Sequence, residues 1–222
     1  MRLLYHFWLS PFSRKVRIAL KEKGLEFELP VEKYWERRKD FLAMSPAGQV
    51  PVLVEPDGHV IADSQAICEY LDEIYSDQPL LGLGPVSRAE TRRLVAWFDQ
   101  KFHREVTQLL LREKLLKRFM GMGQPDSQTI RVGSQNIDYH LKYIAYLSER
   151  RNWLSGDDFS LADIAGAAQL SCLDYFGDVP WLEHPKAKEW YARVKSRPSF
   201  RPILADHIAG LPPPKHYADL DF

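Results

Sequence analysis

The hydrophobic periodicity of this chain changes once, near residue 80, and that change limits the fold more than any other feature. Before it, short strand-like runs alternate with helical ones; after it, the pattern is helical almost to the end. Leu3 to Trp8 is a short apolar and aromatic run, the pattern of a buried strand. Pro11 to Lys23 carries apolar residues at helical spacing (Phe12, Val16, Ala19, Leu20), and Gly24 follows as a C′ residue. Phe27, Leu29 and Val31 alternate as a second strand, and Tyr34 to Met44 reads as an irregular helix. Val50–Val54 and His59–Ile61 flank Pro56-Asp57-Gly58, where Pro presets φ and Gly supplies φ > 0, so they form a hairpin. Ser64 to Tyr75 closes the unit as a helix. Residues 1–79 therefore predict a β-α-β-α-β-β-α unit whose sheet is mixed. Residues 80–85 read as a linker and residues 86–211 as an all-helical domain. Its helices are expected at Ser87–Met120, Gln128–Arg150, Leu161–Phe176 and His184–Ser196, with a short one after Pro198. Residues 212–222 form a proline-rich, acidic tail.

Charge excludes some functions and directs attention to others. Lys+Arg and Asp+Glu both total 30, which argues against a dedicated nucleic-acid binder. A hydrophobic content of 45% excludes a disordered acidic chain. With a mean hydropathy of −0.35 and only short apolar runs, no membrane insertion is expected. Met1-Arg2 leads straight into Leu3-Leu4-Tyr5-His6 without a signal-like segment, so the expected location is cytoplasmic. The neutral total conceals opposed segments. Residues 1–79 hold ten basic and thirteen acidic residues, whereas residues 86–123 hold nine basic and four acidic, a net +5. Arg112, Lys114, Lys117 and Arg118 sit in that basic stretch, which is either a solvated face or a surface for an acidic partner.

Three motifs carry possible chemistry. Ser10-Pro11-Phe12-Ser13 lies between a strand and a helix, where free N–H groups and a partial positive charge can hold a thiolate. Either Ser10 or Ser13 faces a bound sulfur, or Ser10 is simply the N-cap ahead of Pro11. Val50-Pro51 enters a strand after Gln49; a cis bond there leaves the Val50 backbone open to an extended peptide. Asp63-Ser64 opens a helix with Ser64 as the expected cap, and together they suit the charged end of an amino acid.

On this topology, the three motifs resemble the cytosolic glutathione transferase family, as does the capping box Ser160-Leu161-Ala162-Asp163 after Gly156-Asp157. The resemblance covers nearly the whole chain. It implies a glutathione transferase fold: an α/β thioredoxin-like N-terminal domain plus an all-α C-terminal domain. Glutathione is then the implied ligand, with Ser10 or Ser13 at its sulfur, Val50 pairing with its cysteinyl backbone before a cis Pro51, Asp63 and Ser64 at its γ-glutamyl end, and Gln49 helping to position it. The implied activity is conjugation of glutathione to electrophiles or reduction of peroxides.

The C-terminus resembles a narrower branch of that family, FtsZ-binding cell-division proteins of alphaproteobacteria. The likeness lies in Pro212-Pro213-Pro214-Lys215-His216-Tyr217-Ala218-Asp219-Leu220-Asp221-Phe222, in residues 174–181 and 195–202, and in Trp97-Phe98-Asp99-Gln100-Lys101-Phe102. It implies a homodimer that binds FtsZ filaments and conjugates little or nothing. The expected partner contacts are the basic stretch and His216, Tyr217, Asp219, Asp221 and Phe222, although a proline-rich tail can also fold back onto its own domain. The histidines, His103 and His140 among them, show no metal-ligand spacing, so no metal is expected. Trp97, Phe98, Phe102, Tyr139, Tyr143, Tyr146, Trp190 and Tyr191 fall at helical spacing and suit a core or a dimer face. Cys68 and Cys172 are expected as buried thiols.

Overall fold

The computed structural model describes residues 1–220; the partner contacts expected at Asp221 and Phe222 lie outside the described residues. Three strands form the antiparallel core of the N-terminal sheet: β1 (Leu3–Tyr5), β2 (Val52–Val54) and β3 (Val60–Ala62), in that order. Tyr5 faces Val52, and Val52 faces Ala62 across the hairpin. Gly58 turns that hairpin at φ 91°, a conformation other residues rarely adopt.

The strand expected at residues 25–31 runs parallel to β1 on its other edge, but its ladder is broken. Leu4 N–H donates to Glu28, Glu28 N–H to Arg2, His6 N–H to Pro30 and Glu32 N–H to His6. The bond a parallel ladder needs between these, from residue 30 to Leu4, has no donor because residue 30 is proline. The sheet is mixed, as the hairpin and crossover pattern requires.

Helix α1 (Pro11–Glu22) begins at Ser10, whose Oγ accepts the Ser13 N–H at 3.2 Å. Helix α2 (Lys39–Met44) is short, and α3 (Ser64–Ile74) follows β3. Residues 80–85 are not a slack tether. Asp72 accepts the N–H groups of Leu80 and Leu81, which are themselves buried.

The expected Ser87–Met120 helix is one helical rod, α4. It starts α-helical at Pro85–Ala96, widens into i→i+5 turns at Trp97–Thr107 and Arg112–Leu116, and ends at Lys117–Met120 before Gly121. Then come α5 (Ser127–Ser148), α6 (Leu161–Asp174), α7 (Pro185–Lys195) and α8 (Arg201–Leu204). Every residue of α6 is buried, so it forms the axis of the helical half, with α1, α4 and α7 around it. Gly166 is required there: a Cβ would stand 3.1 Å from Phe98 and 3.2 Å from Trp190. Of the aromatics at helical spacing, Phe98, Phe102, Trp190 and Tyr191 are core, whereas Tyr139 and Tyr146 are exposed. Cys68 and Cys172 are buried free thiols, their pKa values raised by burial to about 12 and about 11.

Ion pairs, some buried and some partly exposed, lock the two halves together. Arg14 and Arg17 of α1 both bind Asp206, just beyond α8. Arg197 binds Glu22 at the end of α1, Lys15 binds Asp99 of α4, and Arg92 of α4 binds Glu69 of α3. The orientation of α1, and therefore of Ser10, is set by the helical half. No helix is long and apolar enough to cross a membrane among the described residues.

The tail corrects one expectation. Tyr217 is not an exposed contact: it is 0% accessible, donates to the Ile203 carbonyl at 3.1 Å and meets Tyr175 edge-on. The prolines place it in a short turn, Lys215–Tyr217, laid against the helical half. Lys195 donates to the His216 carbonyl, and His216 Nε2 lies 3.2 Å from buried Asp174. A large aromatic with a satisfied hydroxyl gains more from this seat than from water. Asp219 stays on the surface.

Candidate functional site: a two-part cleft between the halves

The residues expected to bind a ligand converge from three separate places in the chain. β2 and the loop before it bring Gln49, Val50 and Pro51. The start of α3 brings Asp63, Ser64 and Gln65. The flank of α4 supplies Arg92, Val95, Ala96, Asp99 and Gln100. Together with Phe12 they line a cleft of about 550 Å³.

The Val50–Pro51 bond is cis, as expected. Among the described residues, the Val50 N–H and C=O form no hydrogen bond outside regular elements, and β2 begins only at Val52. Both groups therefore remain open to an extended backbone.

At α3 the expected cap is displaced by one residue. Asp63, not Ser64, is the N-cap: its Oδ1 accepts from Gln65 N–H at 2.7 Å and Ala66 N–H at 3.0 Å. Asp63 holds φ 79° with ψ 128°, outside the left-handed helical basin that aspartate tolerates, so the backbone is strained at this cap. Ser64 is the first helical residue, so its own N–H stays out of the helical ladder at the cleft wall.

The α4 wall is charged but internally matched. Arg92 grips Glu69 through two bonds of 3.0 and 2.9 Å, and this contact holds the Glu69 carboxyl below its ordinary range. Lys15, fully buried, matches Asp99. Sequence reasoning missed Phe12, Gln65, Glu69, Arg92, Asp99 and Gln100. Their signal on α4 was polar residues at 92, 99, 100 and 103, a helical stripe whose facing could not be read without the other half.

A second, smaller chamber of about 240 Å³ adjoins the cleft and shares Phe12, Gln49 and Val50 with it. Its walls are mainly apolar: Phe7, Leu9, Pro11, Leu111, Leu115 and Leu116. Ser10 stands at its edge, 9% accessible. Ser13 lines neither space; it is 0% accessible, and its Oγ lies 3.4 Å from the Phe7 N–H it accepts. The structure thus corrects the pairing of the two serines as equal candidates. Tyr5 and His6 also line neither space. His6 is buried, and burial, aided by Arg17 and Arg14, pushes its pKa down to about 3.

At the far end of α4 the basic stretch is largely matched. Lys114 pairs with Asp178 and Lys117 with Glu113. Arg118 reaches the Gly210 carbonyl at 3.2 Å, and Arg112 is exposed. Of these four cations, only the two arginines have no carboxylate partner among the described residues. No group of three or more metal-ligating side chains is present among the described residues.

Residues 9–74 match the family model for the glutathione S-transferase N-terminal domain, and residues 133–198 match the model for its C-terminal domain. The chain belongs to the glutathione S-transferase family. It is 50% identical to FtsZ-localized protein A of Caulobacter vibrioides, over 100% of this chain and 98% of that protein. The solved structure of FzlA from C. crescentus superposes with a TM-score of 0.97, covering 100% of this chain and 99% of the other. A glutathione S-transferase from Rhodospirillum rubrum, 60% identical, superposes with a TM-score of 0.98 and full coverage of both chains. Another, from Methylobacterium radiotolerans, was solved in complex with glutathione sulfonate. It is 30% identical with a TM-score of 0.76, covering 93% of this chain and 97% of the other. The transferase fold thus accounts for the whole chain, tail included.

Proposed function

We propose that this chain is a glutathione-transferase-fold cell-division protein that binds FtsZ filaments as a cytoplasmic homodimer and conjugates little or nothing. The observation that carries this reading is the end-to-end identity of 50% with FtsZ-localized protein A. The match spans 100% of this chain, so the aligned region extends through the proline-rich tail as well as the transferase fold. Exposed Tyr139 and Tyr146 on α5, with Val60 and Ile74 exposed on the N-terminal half, support a second copy as the neighbour. The partner contacts follow the geometry: Arg112 and Arg118 supply unmatched cations beside Lys114 and Lys117, and His216 and Asp219 lie at the surface beside the anchored Tyr217.

Cosedimentation tests this reading. The protein pellets with polymerised FtsZ, and reversing Arg112 and Arg118 to glutamate abolishes pelleting while the free protein still sediments as two chains of 25.8 kDa. Pelleting no greater than that of an unrelated protein would overturn the reading.

A second reading, an active transferase, is favoured by the cleft. An open Val50 backbone faces the start of α3, and Ser10 stands at the mouth of an apolar chamber. Ser10 Oγ already accepts the Ser13 N–H, so its own O–H is the donor left for a sulfur. Glutathione then binds in calorimetry at millimolar concentration, and Asp63→Ala weakens it about tenfold. Absence of heat at millimolar glutathione eliminates this second reading and leaves the first intact.

A further inference from the structure

The apolar chamber beside Ser10 contains one polar group whose hydrogen-bonding role is fixed from behind. His103, on α4, lines the chamber. Its Nδ1 lies 3.4 Å from Oε1 of Gln169, a fully buried residue of α6. A carbonyl oxygen can only accept, so Nδ1 carries the proton and Nε2 carries a lone pair. Nε2 has no partner among the described residues, yet it is absent from the fully enclosed, unpartnered atoms, so its edge opens on accessible space. The Phe12 ring lies 4.7 Å from the imidazole and shields it on one side.

We propose that His103 Nε2 is the specificity-determining acceptor of this chamber, selecting a compact aromatic ligand that carries an O–H or N–H donor over one that lacks it. The size follows from volume: about 150 Å³ suffices for benzene, so 240 Å³ takes one ring with small substituents. The selectivity follows from chemistry. The amides of Gln49 and Gln108, which also line the chamber, can donate or accept and so discriminate little. The imidazole only accepts. A ligand without a donor strips water from Nε2 and returns nothing, which costs about 1–3 kcal/mol. This places a ligand class on the chamber of the transferase reading, but it does not require glutathione to bind.

The test therefore omits glutathione. The full-length protein is titrated calorimetrically at neutral pH with 4-ethylphenol and with its donor-less ether, 4-ethylanisole. The phenol binds about tenfold more tightly. In His103→Leu that ratio falls close to one while the affinity for the ether is kept, which shows an intact chamber. If His103→Leu binds neither probe, Gln169→Leu keeps the imidazole but frees its tautomer, and the ratio must shrink. Equal affinities in the wild type, preference for the ether, no saturable binding of either probe, or an unchanged ratio in the variants each overturns the proposal. Failure of glutathione to bind, with the phenol preference intact, removes only the transferase reading.

Discussion

Asp206→Ala is expected to lower the unfolding free energy by about 3–5 kcal/mol, the usual cost of stripping one partner from a buried ion cluster. Asp206 is 3% accessible and serves two arginines at once. Its Oδ1 accepts from Arg17 at 2.8 Å, and its Oδ2 accepts from Arg17 at 2.7 Å and from Arg14 at 3.1 Å. Arg14 is 0% accessible and Arg17 3%. A lysine in either place could shed its proton; an arginine cannot, so the variant keeps two cations in a site with no anion. The carbonyl of Trp8 and the hydroxyl of Ser171 still bind Arg14, but neither carries a countercharge. In a chain of this size, a loss of that order lowers Tm by roughly 10 °C. The triple replacement Arg14→Met, Arg17→Met, Asp206→Leu removes the charges together and is expected to cost far less than Asp206→Ala alone. Thermal unfolding of the two variants decides it: a drop below about 3 °C for Asp206→Ala means that water reaches the cluster. The effect extends to function because the same two arginines hold α1, whose first turn carries Ser10 at the chamber edge.

The fold was legible because its largest signals are local. Periodicity of two and then of 3.6, the Pro-Asp-Gly turn and the Ser160–Asp163 box each act within a few residues, and each holds in the structure. The strand at residues 25–31 is the informative departure. Alternation at Phe27, Leu29 and Val31 placed it correctly beside β1, but Pro30 deletes the one donor that a continuous ladder needs. The displaced cap at α3 is a shift of one residue: Asp63 and Ser64 are both good caps, and the pattern of apolar residues does not fix at which of them the helix begins. The near half of the cleft was legible for the same local reasons. The α4 wall was not, because Arg92, Asp99 and His103 gain their role only where the helical half crosses the N-terminal one. Charge counting misled for a related reason. Net +5 over residues 86–123 is an accurate sum, yet Glu69 and Asp178 from outside the segment, and Glu90, Glu105 and Glu113 from inside it, match most of its cations. Tyr217 could not be placed by sequence at all, since an aromatic beside prolines suits an exposed recognition segment as well as a folded-back anchor.

Asp163→Ala is expected to cost still more, about 5 kcal/mol, although Asp163 touches no ligand. Its Oδ1 accepts the Leu154 N–H at 2.9 Å and the Trp190 Nε1–H at 2.8 Å; its Oδ2 accepts the Ser160 N–H at 3.1 Å and the Ser160 hydroxyl at 3.0 Å. The side chain thus ties the first turn of α6 to the loop before it and to α7. All of these donors are buried, and alanine leaves them without partners in a space too small to hydrate well, at about 1–3 kcal/mol for each orphan. Because α6 is buried along its whole length, no solvent-exposed register offers the helix a fallback. The two partners of the box are not equivalent. Ser160→Ala removes the hydroxyl that accepts from Ala162 N–H and Ser155 and donates to Asp163, but leaves Asp163 bound to the Leu154 and Ser160 N–H groups and to Trp190, and is expected to cost about 1 kcal/mol, as an ordinary cap does. Asp163→Asn keeps Oδ1 in place but sets an amide N–H2 against the Ser160 N–H, so it falls between the two. Urea denaturation of the three variants gives the ranking Asp163→Ala, Asp163→Asn, Ser160→Ala in order of decreasing cost. If Ser160→Ala instead matches Asp163→Ala, then the cap itself, rather than the bridge from α6 to α7, holds the helical half together.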